Sequence, residues 1–387
     1  MIISRRFAVW LCFSISLIGT GAYSSSQKKA PLANRPITNS SQRDREIASQ
    51  FAPVFYQALG DKPRSDYITN FDYDGDWQGD NNWSHLETRS FPLKAYIYYS
   101  VAETASHIFI HYAVFHPRDY KGGEVKGAIL SELIREGAKR GRKFDPTGLA
   151  DEATLAHEND LEGCLVVVEK GNVSLENARV VFVETLHHNH FSRYVAGEPA
   201  KADSERVRLN QQHPELYIEP KGHGIEAFLG TEKQAGDKSF LAYKFSGDAS
   251  YPGDDTTSVE CRNPPCSSFV GYALLPLETT LWLKAQHAPN ATYAERCDYQ
   301  TIAITVLQGK SRPLVKNVNI GKIGCAFVGR VGGQNMARPP WAWFDKDERE
   351  RKLGGWFFDP ATTVKRDFNL GDDFSTIYLH LPFWARK

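Results

Sequence analysis

Short apolar runs rich in β-branched and aromatic residues constrain the fold of this chain most. Residues 95–100 and 107–115 form two such runs separated by a short spacer, and residues 164–168 form a third that ends in a Glu-Lys-Gly-Asn turn. Runs of this length, bounded by turn residues, are typical of strands, and the first two fit a hairpin. Further runs occur at residues 178–186, 216–219, 301–307, 322–328 and 377–383. We therefore predict a mainly β fold, an antiparallel β-sandwich.

One segment departs from this strand pattern. Within residues 124–156, Ile129, Leu130, Leu133 and Ile134 recur at the spacing of an amphipathic helix. We interpret the segment as a helical insertion that packs on the sheet. Its basic end, residues 139–143, is interpreted as a solvated surface rather than a ligand site.

The N-terminal residues are typical of a secretory signal peptide. Arg5 and Arg6 precede an apolar stretch at residues 7–18, and small residues 19–22 offer a cleavage site. That stretch is too short to span a bilayer, and no later apolar run is long enough. We predict a signal peptide at residues 1–22, a disordered linker at 23–46 and one elaborated domain at 47–387. The protein is thus expected to be secreted, extracellular or periplasmic, without a transmembrane anchor.

Charge balance and cysteine content narrow the possible functions. Lys and Arg number 46 and Asp and Glu number 46, a formal net charge of +0, which gives no electrostatic case for nucleic-acid binding. Export permits disulfides. The natural pairs are Cys261 with Cys266 and Cys297 with Cys325, which leaves Cys164 as a small core residue. The alternative is that all five are reduced.

A polar segment leads directly into one predicted strand. Residues 157–162, His-Glu-Asn-Asp-Leu-Glu, run into the apolar residues 164–168. On a strand Asp160 and Glu162 point to the same side, and His157 lies three residues earlier, where we expect the chain to bend. Two carboxylates and an imidazole beside a dry core are costly unless a cation or hydrogen bonds neutralise them. The alternative is that these charges simply face water.

Other polar residues follow neighbouring strands. Pro117 is predicted to end the strand at 107–115 and to place Asp119 in a rim loop. His187, His190 and His223 also follow strands. Such histidines line a rim where a metal or ligand binds, and three of them together could bind zinc. The alternative is that they lie in polar loops without partners.

An acidic loop at residues 72–83 carries two tryptophans. Its alternating Asp residues around a Gly are similar to a calcium loop, but Trp83 stands where the twelfth-position Glu would be. We interpret it as a surface loop. Its exposed rings, Trp77 and Trp83, could stack on a sugar.

Residues 112–119 and 157–162 together resemble two sequence blocks of the necrosis- and ethylene-inducing-peptide-like proteins, which are secreted β-sandwich toxins. The family blocks are Tyr-Ser-Trp-Tyr-aromatic-Pro-Lys-Asp and Gly-His-Arg-His-Asp-Trp-Glu. The resemblance implies a divalent cation held by Asp119, His157, Asp160 and Glu162. Three carboxylates and one imidazole favour Ca²⁺ or Mg²⁺ over Zn²⁺.

The chain differs from the family's second block at four positions, and three other segments are similar to longer relatives. Ala156, Glu158, Asn159 and Leu161 stand where the family has Gly, Arg, His and Trp. Residues 216–223, 340–347 and 356–360 look similar to longer relatives in a vacuolar-protein-sorting-associated family of the same superfamily.

The expected function is therefore that of a secreted, cation-dependent protein that binds a glycan or lipid head group at a cell surface, as a toxin-like effector would. One alternative is a metal-dependent hydrolase in which Glu162 or His223 moves the proton. Another is a purely structural cation. The sequence contains no nucleophile elbow and no glycine-rich phosphate loop to name a substrate.

Overall fold

Strands dominate the part of the chain that the computed structural model describes, which is residues 39–119, 156–171, 177–198, 205–230, 239–253, 259–287, 289–308, 312–330, 337–349 and 352–383. The strands are β1 Val54–Ala58, β2 Tyr96–Thr104, β3 His107–Asp119, β4 His157–Glu169, β5 Arg179–His187, β6 His190–Ala196, β7 Arg206–Val207, β8 Leu209–Asn210, β9 His213–Ile218, β10 Ile225–Ala227, β11 Phe240–Phe245, β12 Glu260–Cys261, β13 Val270–Pro276, β14 Tyr293–Tyr299, β15 Ile302–Gln308, β16 Arg312–Val318, β17 Gly321–Phe327 and β18 Tyr378–His380. The helices are α1 Asn39–Gln50, α2 Asn82–His85, α3 Leu281–His287, α4 Gly355–Phe358 and α5 Pro360–Asp367.

Most of these strands belong to one mixed sheet. Its order is β10-β9-β1-β11-β13-β2-β3-β4-β5-β6-β7, and β14 pairs separately with β17. The pairs β1–β9, β11–β13, β13–β2 and β6–β7 are parallel. Because β10 packs against β5 and β7 against β9, the two edges approach each other and the sheet is nearly a closed barrel. The mainly β prediction is confirmed, but the sheet is mixed and barrel-like rather than an antiparallel sandwich.

Strands β2 to β4 lie at the centre and are buried on both faces. On β3, Phe109 and Phe115 face one apolar core, and Ile110 and Val114 face the other. A sheet covered on both faces needs strands that are apolar at successive positions rather than at alternate ones. The apolar runs of β2 to β4 have this continuous pattern. The predicted hairpin is confirmed, since β2 and β3 pair antiparallel.

The limits of β3 and β4 differ from the sequence prediction. β3 continues through Pro117, and β4 already begins at His157, so Asp119 pairs directly with His157. The predictions that Pro117 ends the strand and that His157 precedes the next one were wrong. Pro117 and Asn159 are left without partners in the register, so the proline lies where the pairing of the two strands is interrupted.

Helix α1 covers the last residues of the segment predicted to be a disordered linker. It begins at Asn39, so residues 39–46 are helical. Ile47 of α1 packs in the core, and Arg43 donates to the Glu103 carboxylate at 3.0 Å. The predicted signal peptide, the linker up to residue 38 and the helical insertion up to residue 155 lie outside the described residues. Within the described residues, no helix is both long and apolar enough to cross a membrane.

Two disulfides and a group of aromatic residues secure the C-terminal half. Cys261 is bonded to Cys266 and Cys297 to Cys325, as predicted, and Cys164 is free and buried. Trp341 and Trp356 are buried in the same core as Phe109. These tryptophans therefore anchor the C-terminal segment, in agreement with the sequence interpretation.

His111 makes the fold sensitive to acid. Its imidazole is buried against the Trp343 ring, with ring centroids 5.5 Å apart, and burial lowers its pKa to about 3. The unfolded chain binds a proton at this site below about pH 6.5, whereas the folded chain does not, so stability falls as pH decreases. We expect this residue alone to remove about 3 kcal/mol of stability between pH 7 and pH 4.5.

Urea denaturation of wild type and His111→Phe at these two pH values measures that contribution. The variant should lose less stability on acidification than wild type, because phenylalanine does not titrate. An equal loss in both proteins would show that burial does not lower the pKa of His111.

Candidate functional site

The predicted cation residues lie where β3 and β4 pair at one end of the sheet. His157 Nε2 lies 3.4 Å from Asp119 Oδ2, and both side chains are buried. Burial by itself lowers the pKa of His157, but Asp119, with a smaller contribution from Asp160, outweighs it and raises the pKa to about 9. His157 therefore carries a positive charge at neutral pH, partly balancing these carboxylates.

Asn159 shapes this end of the strand. Its backbone is left-handed, with φ of 63°, a conformation that asparagine tolerates better than most residues. His157, two residues before it, lies close enough to Asp160 for the Asp160 carboxylate to help raise the His157 pKa. The Asn159 amide donates to the carbonyls of Gly79 at 2.7 Å and Val328 at 2.6 Å. Asn159 thus connects the site to two loops.

Glu158 makes a similar connection. Its carboxylate accepts hydrogen bonds from the backbone N–H groups of Trp83 at 2.8 Å and Arg330 at 2.5 Å. Glu158 and Asn159 are two of the positions at which this chain departs from the toxin heptapeptide. In this protein both side chains are engaged in holding loops.

Asp160 contacts a buried histidine. His223 is 0% exposed, its Nδ1 donates to Asp160 Oδ2 at 2.9 Å, and its Nε2 donates to Asp66 Oδ1 at 3.2 Å. Burial lowers the pKa of His223, but the two carboxylates raise it to about 10. The ring also stacks on His116 with centroids 3.8 Å apart. Burial and the positive His223 hold the pKa of His116 well below its usual range, so one ring is charged and the other neutral.

Glu162 has one carboxylate oxygen without a partner. Its Oε1 accepts from the backbone N–H of His188 at 3.0 Å, whereas its buried Oε2 has no hydrogen-bond partner among the described residues. Burial raises the pKa of Glu162 to about 8 in spite of the hydrogen bond from His188. An unsatisfied buried carboxylate oxygen costs about 1–3 kcal/mol or more. A cation would remove this cost.

The four predicted residues lie at the same end of the β3–β4 pair, but they are not among the groups whose ligand atoms converge. Among the described residues, three other groups have ligand atoms within 4.8 Å of one another: His187 with His188 and Glu219, Asp74 with Asp76 and His85, and His190 with Asp345 and Asp347. An ion shared by Asp119, His157, Asp160 and Glu162 would require rotation of their side chains.

The three predicted accessory histidines have separate environments. His223 touches Asp160, but from the protein interior rather than from a rim. His187 Nδ1 lies 3.0 Å from Glu226, and His190 Nδ1 lies 2.7 Å from Asp347. Burial lowers the pKa of His187, whereas the carboxylates of Glu219 and Glu226 raise it to about 9.

The tryptophans are not the exposed platforms that the sequence suggested. Trp77 is half-buried, stacks on Phe71 with centroids 5.6 Å apart, and has Lys284 4.7 Å above its ring. The guanidinium of Arg118 lies 4.4 Å from the centre of the Trp83 ring. The prediction of exposed rings was wrong, because the loop folds back onto β3 and α3.

A groove opens along β6, next to the histidines. Its volume is about 630 Å³, within the range of ligand pockets. Its lining includes Arg193, Tyr194, Glu205, Glu226 and Asp367. A continuous series of contacts joins the groove to the predicted cation residues, from Glu226 through the neighbouring histidines to Glu162. The groove was not predicted, since strands distant in sequence form its walls.

No family model matches the chain, and no curated protein matches it. Among solved structures, NLPPya in complex with glucosamine or mannosamine is similar over 51% of this chain and 73% or 72% of its own, with 14% identity and a TM-score of 0.29. The non-toxic HaNLP3 protein is 13% identical over 62% of this chain and 77% of its own, with a TM-score of 0.27. The Necrosis and Ethylene inducing Protein 2 from the causal agent of cocoa's Witches Broom disease is 13% identical over 60% and 74%, with a TM-score of 0.28.

These structural neighbours are proteins of the necrosis- and ethylene-inducing toxin fold. Identities of this size and TM-scores below 0.5 leave membership of that family a resemblance. None of these neighbours bears on the likeness to the vacuolar-protein-sorting-associated family.

Proposed function

We propose that this chain is an exported protein that binds a glycan at a cell surface with the help of a divalent cation, in the manner of a toxin-like effector. The observation that supports the cation best is the buried Oε2 of Glu162, which has no partner in the described part of the chain. Asp119 and Asp160 lie along the same strand pair and are also buried. Buried carboxylates so close together need positive charge, and His157 and His223 supply only part of it.

Asp119, Asp160 and Glu162 would supply oxygen ligands, and His157 would supply a nitrogen once the ion displaces its ring proton. Ca²⁺ accepts six to eight oxygen ligands in a flexible arrangement, so the ion would retain free coordination positions. Its role would be to coordinate sugar hydroxyl oxygens directly. The ion and its four ligands would thus provide one half of a glycan site.

The groove along β6 would provide the other half. Glu205 and Glu226 offer carboxylates that accept hydrogen bonds from hydroxyl or amino groups, and Tyr194 offers an aromatic ring. Amino sugars are the first ligands to test, because the lining offers carboxylates for an amine and the Arg193 guanidinium for hydroxyl oxygens. NLPPya itself is known in complex with glucosamine and mannosamine.

Export is the second part of this proposal. The two disulfides fit an oxidising compartment, since disulfides are rare in cytosolic proteins. The signal-peptide pattern in residues 1–22 supports the same localisation.

A glycan array probed with the full mature chain tests the function. We expect binding that is lost with a chelator, restored by Ca²⁺ or Mg²⁺, and absent in Asp119→Asn. Asp61→Asn, whose carboxylate is 85% exposed and belongs to none of the three groups, is the matched control and should bind like wild type.

Two outcomes would overturn the glycan proposal. Chelator-sensitive turnover of an ester or glycoside would favour a hydrolase. Cation-dependent stability without binding to any glycan or head group would make the cation structural.

A further inference from the structure

We propose that His187, His188 and Glu219 form a second metal site that takes a zinc-type transition metal, separate from the hard-cation site. His188 Nε2 lies 3.0 Å from Glu219 Oε1, and His187 Nε2 lies 3.6 Å from Glu219 Oε2. Two imidazoles and one carboxylate are a ligand set found in zinc sites that keep one coordination position open. The proposal does not depend on the glycan-binding function.

The separations between these atoms suit an ion better than hydrogen bonds alone. A distance of 3.6 Å is too long for a hydrogen bond between His187 and Glu219. In a tetrahedral site with metal–ligand bonds of about 2.0–2.1 Å, neighbouring ligand atoms lie roughly 3.3 Å apart. The two rings lie 3.0 and 3.6 Å from different oxygens of the Glu219 carboxylate, and one ligand atom from each of the three residues lies within 4.8 Å of the other two. Small side-chain movements would therefore place all three ligand atoms on one ion.

Both histidines have a carboxylate on the side away from Glu219. His187 Nδ1 lies 3.0 Å from Glu226 Oε1, and His188 Nδ1 lies 3.6 Å from Glu162 Oε1. Metal-binding histidines usually donate their second N–H to a carboxylate or carbonyl, which orients the ring and fixes the tautomer. His187 has such a carboxylate at hydrogen-bond distance. For His188 it is the backbone N–H that donates to Glu162 Oε1, at 3.0 Å, and this bond positions the residue while its ring Nε2 faces Glu219.

The local backbone brings these groups together. His187 ends β5, and His188 is in a left-handed conformation with φ of 57°, so two adjacent histidines reach the same side. The 219–224 turn is closed by a hydrogen bond from the Glu219 N–H to the Gly224 carbonyl at 3.0 Å. A β-carbon at Gly224 would overlap the His187 ring, so glycine allows the close approach. Glu219 thus faces the hairpin from a separate, fixed turn.

The site is accessible from solvent. The side chains of His187 and His188 are each 28% exposed, and that of Glu219 is 25% exposed. Nitrogen-rich sites favour zinc over Ca²⁺ and Mg²⁺, which prefer oxygen ligands. A bound zinc ion would therefore be exchangeable and would have a fourth position open to water or to a ligand in the adjoining groove.

Zinc titration calorimetry on metal-stripped full chain tests the proposal. We expect one zinc per chain that excess Ca²⁺ or Mg²⁺ does not displace. His188→Gln and Glu219→Gln should each weaken zinc binding more than 100-fold, since each removes a ligand. Glu226→Gln should weaken it by about 10–100-fold, because it removes only the carboxylate that orients His187.

Two controls separate this site from its surroundings. His190→Gln changes a neighbouring histidine that pairs with Asp347 and should leave zinc affinity unchanged. Asp160→Asn should retain zinc binding even where Ca²⁺ binding fails, so failure of one site is distinguishable from failure of the other. Circular dichroism confirms that each variant is folded.

The proposal is overturned if wild type binds no zinc, or if folded His188→Gln and Glu219→Gln both bind zinc as tightly as wild type. Displacement of zinc by Ca²⁺ at equal concentrations would also overturn it, since that result would indicate an oxygen-ligand site.

Discussion

Replacing Asp66 with alanine is expected to lower the free energy of unfolding by about 3–5 kcal/mol. Asp66 is 1% exposed, and its carboxylate accepts hydrogen bonds from His223 at 3.2 Å and from the backbone N–H groups of Lys221 and Gly60, both at 2.7 Å. The substitution leaves the buried His223 charge with one carboxylate instead of two. It also leaves two backbone donors without their partner.

Urea denaturation near pH 7 measures this loss. Asp61→Ala is the matched control, because the Asp61 carboxylate is 85% exposed and pairs with Lys221 at 3.2 Å on the surface. Exposed pairs of this kind contribute about 1 kcal/mol or less. If Asp66→Ala lowers the free energy of unfolding no more than Asp61→Ala does, His223 does not carry a buried charge that Asp66 balances.

The central strands were predictable because the signal for them is local. Continuous apolar residues in β3 and β4 indicate strands covered on both faces wherever their partners come from. No local sequence signal predicts the order of the strands in the sheet. The parallel pairing of β1 with β9, for example, joins residues more than 150 positions apart, and only long-range packing decides it.

Some site residues were predictable from local sequence, and others depend on contacts between distant parts of the chain. Asp119 and His157 were placed together by their sequence blocks, and the structure pairs them across β3 and β4, although as strand residues rather than in a loop and a bend. Asp66 was missed because it contacts His223 across 157 positions of sequence. His188 was visible next to His187, but only the left-handed turn and the distant Glu219 show that both rings face one carboxylate.

The sequence could not predict how far the tryptophan rings are exposed. A loop rich in Gly, Asp and Asn indicates a surface position, and Trp77 and Trp83 do lie in one. Their ring faces are covered by Lys284 and Arg118, whose positions depend on α3 and on the continuation of β3 past Pro117. The glycan site is consequently sought along β6 and not at these rings.

Asp160→Asn should abolish binding of a hard divalent cation. Asp160 lies near His157 and Glu162 and contacts His223 directly. Its substitution by asparagine removes one negative charge from the proposed ligand set. Asp66→Asn is the control, because it removes the other carboxylate of His223 without removing a proposed ligand. Both variants are expected to be less stable than wild type, and only Asp160→Asn should lose the cation.

Calorimetric titration of metal-stripped wild type, Asp160→Asn and Asp66→Asn with Ca²⁺ and with Mg²⁺ tests the cation site most directly. Wild type and folded Asp66→Asn should bind one ion, and an ion at about 100 times its Kd should stabilise each against unfolding by about 2.7 kcal/mol. Folded Asp160→Asn should show neither effect. The cation site is contradicted if wild type binds neither ion, or if Asp160→Asn titrates with the affinity of wild type.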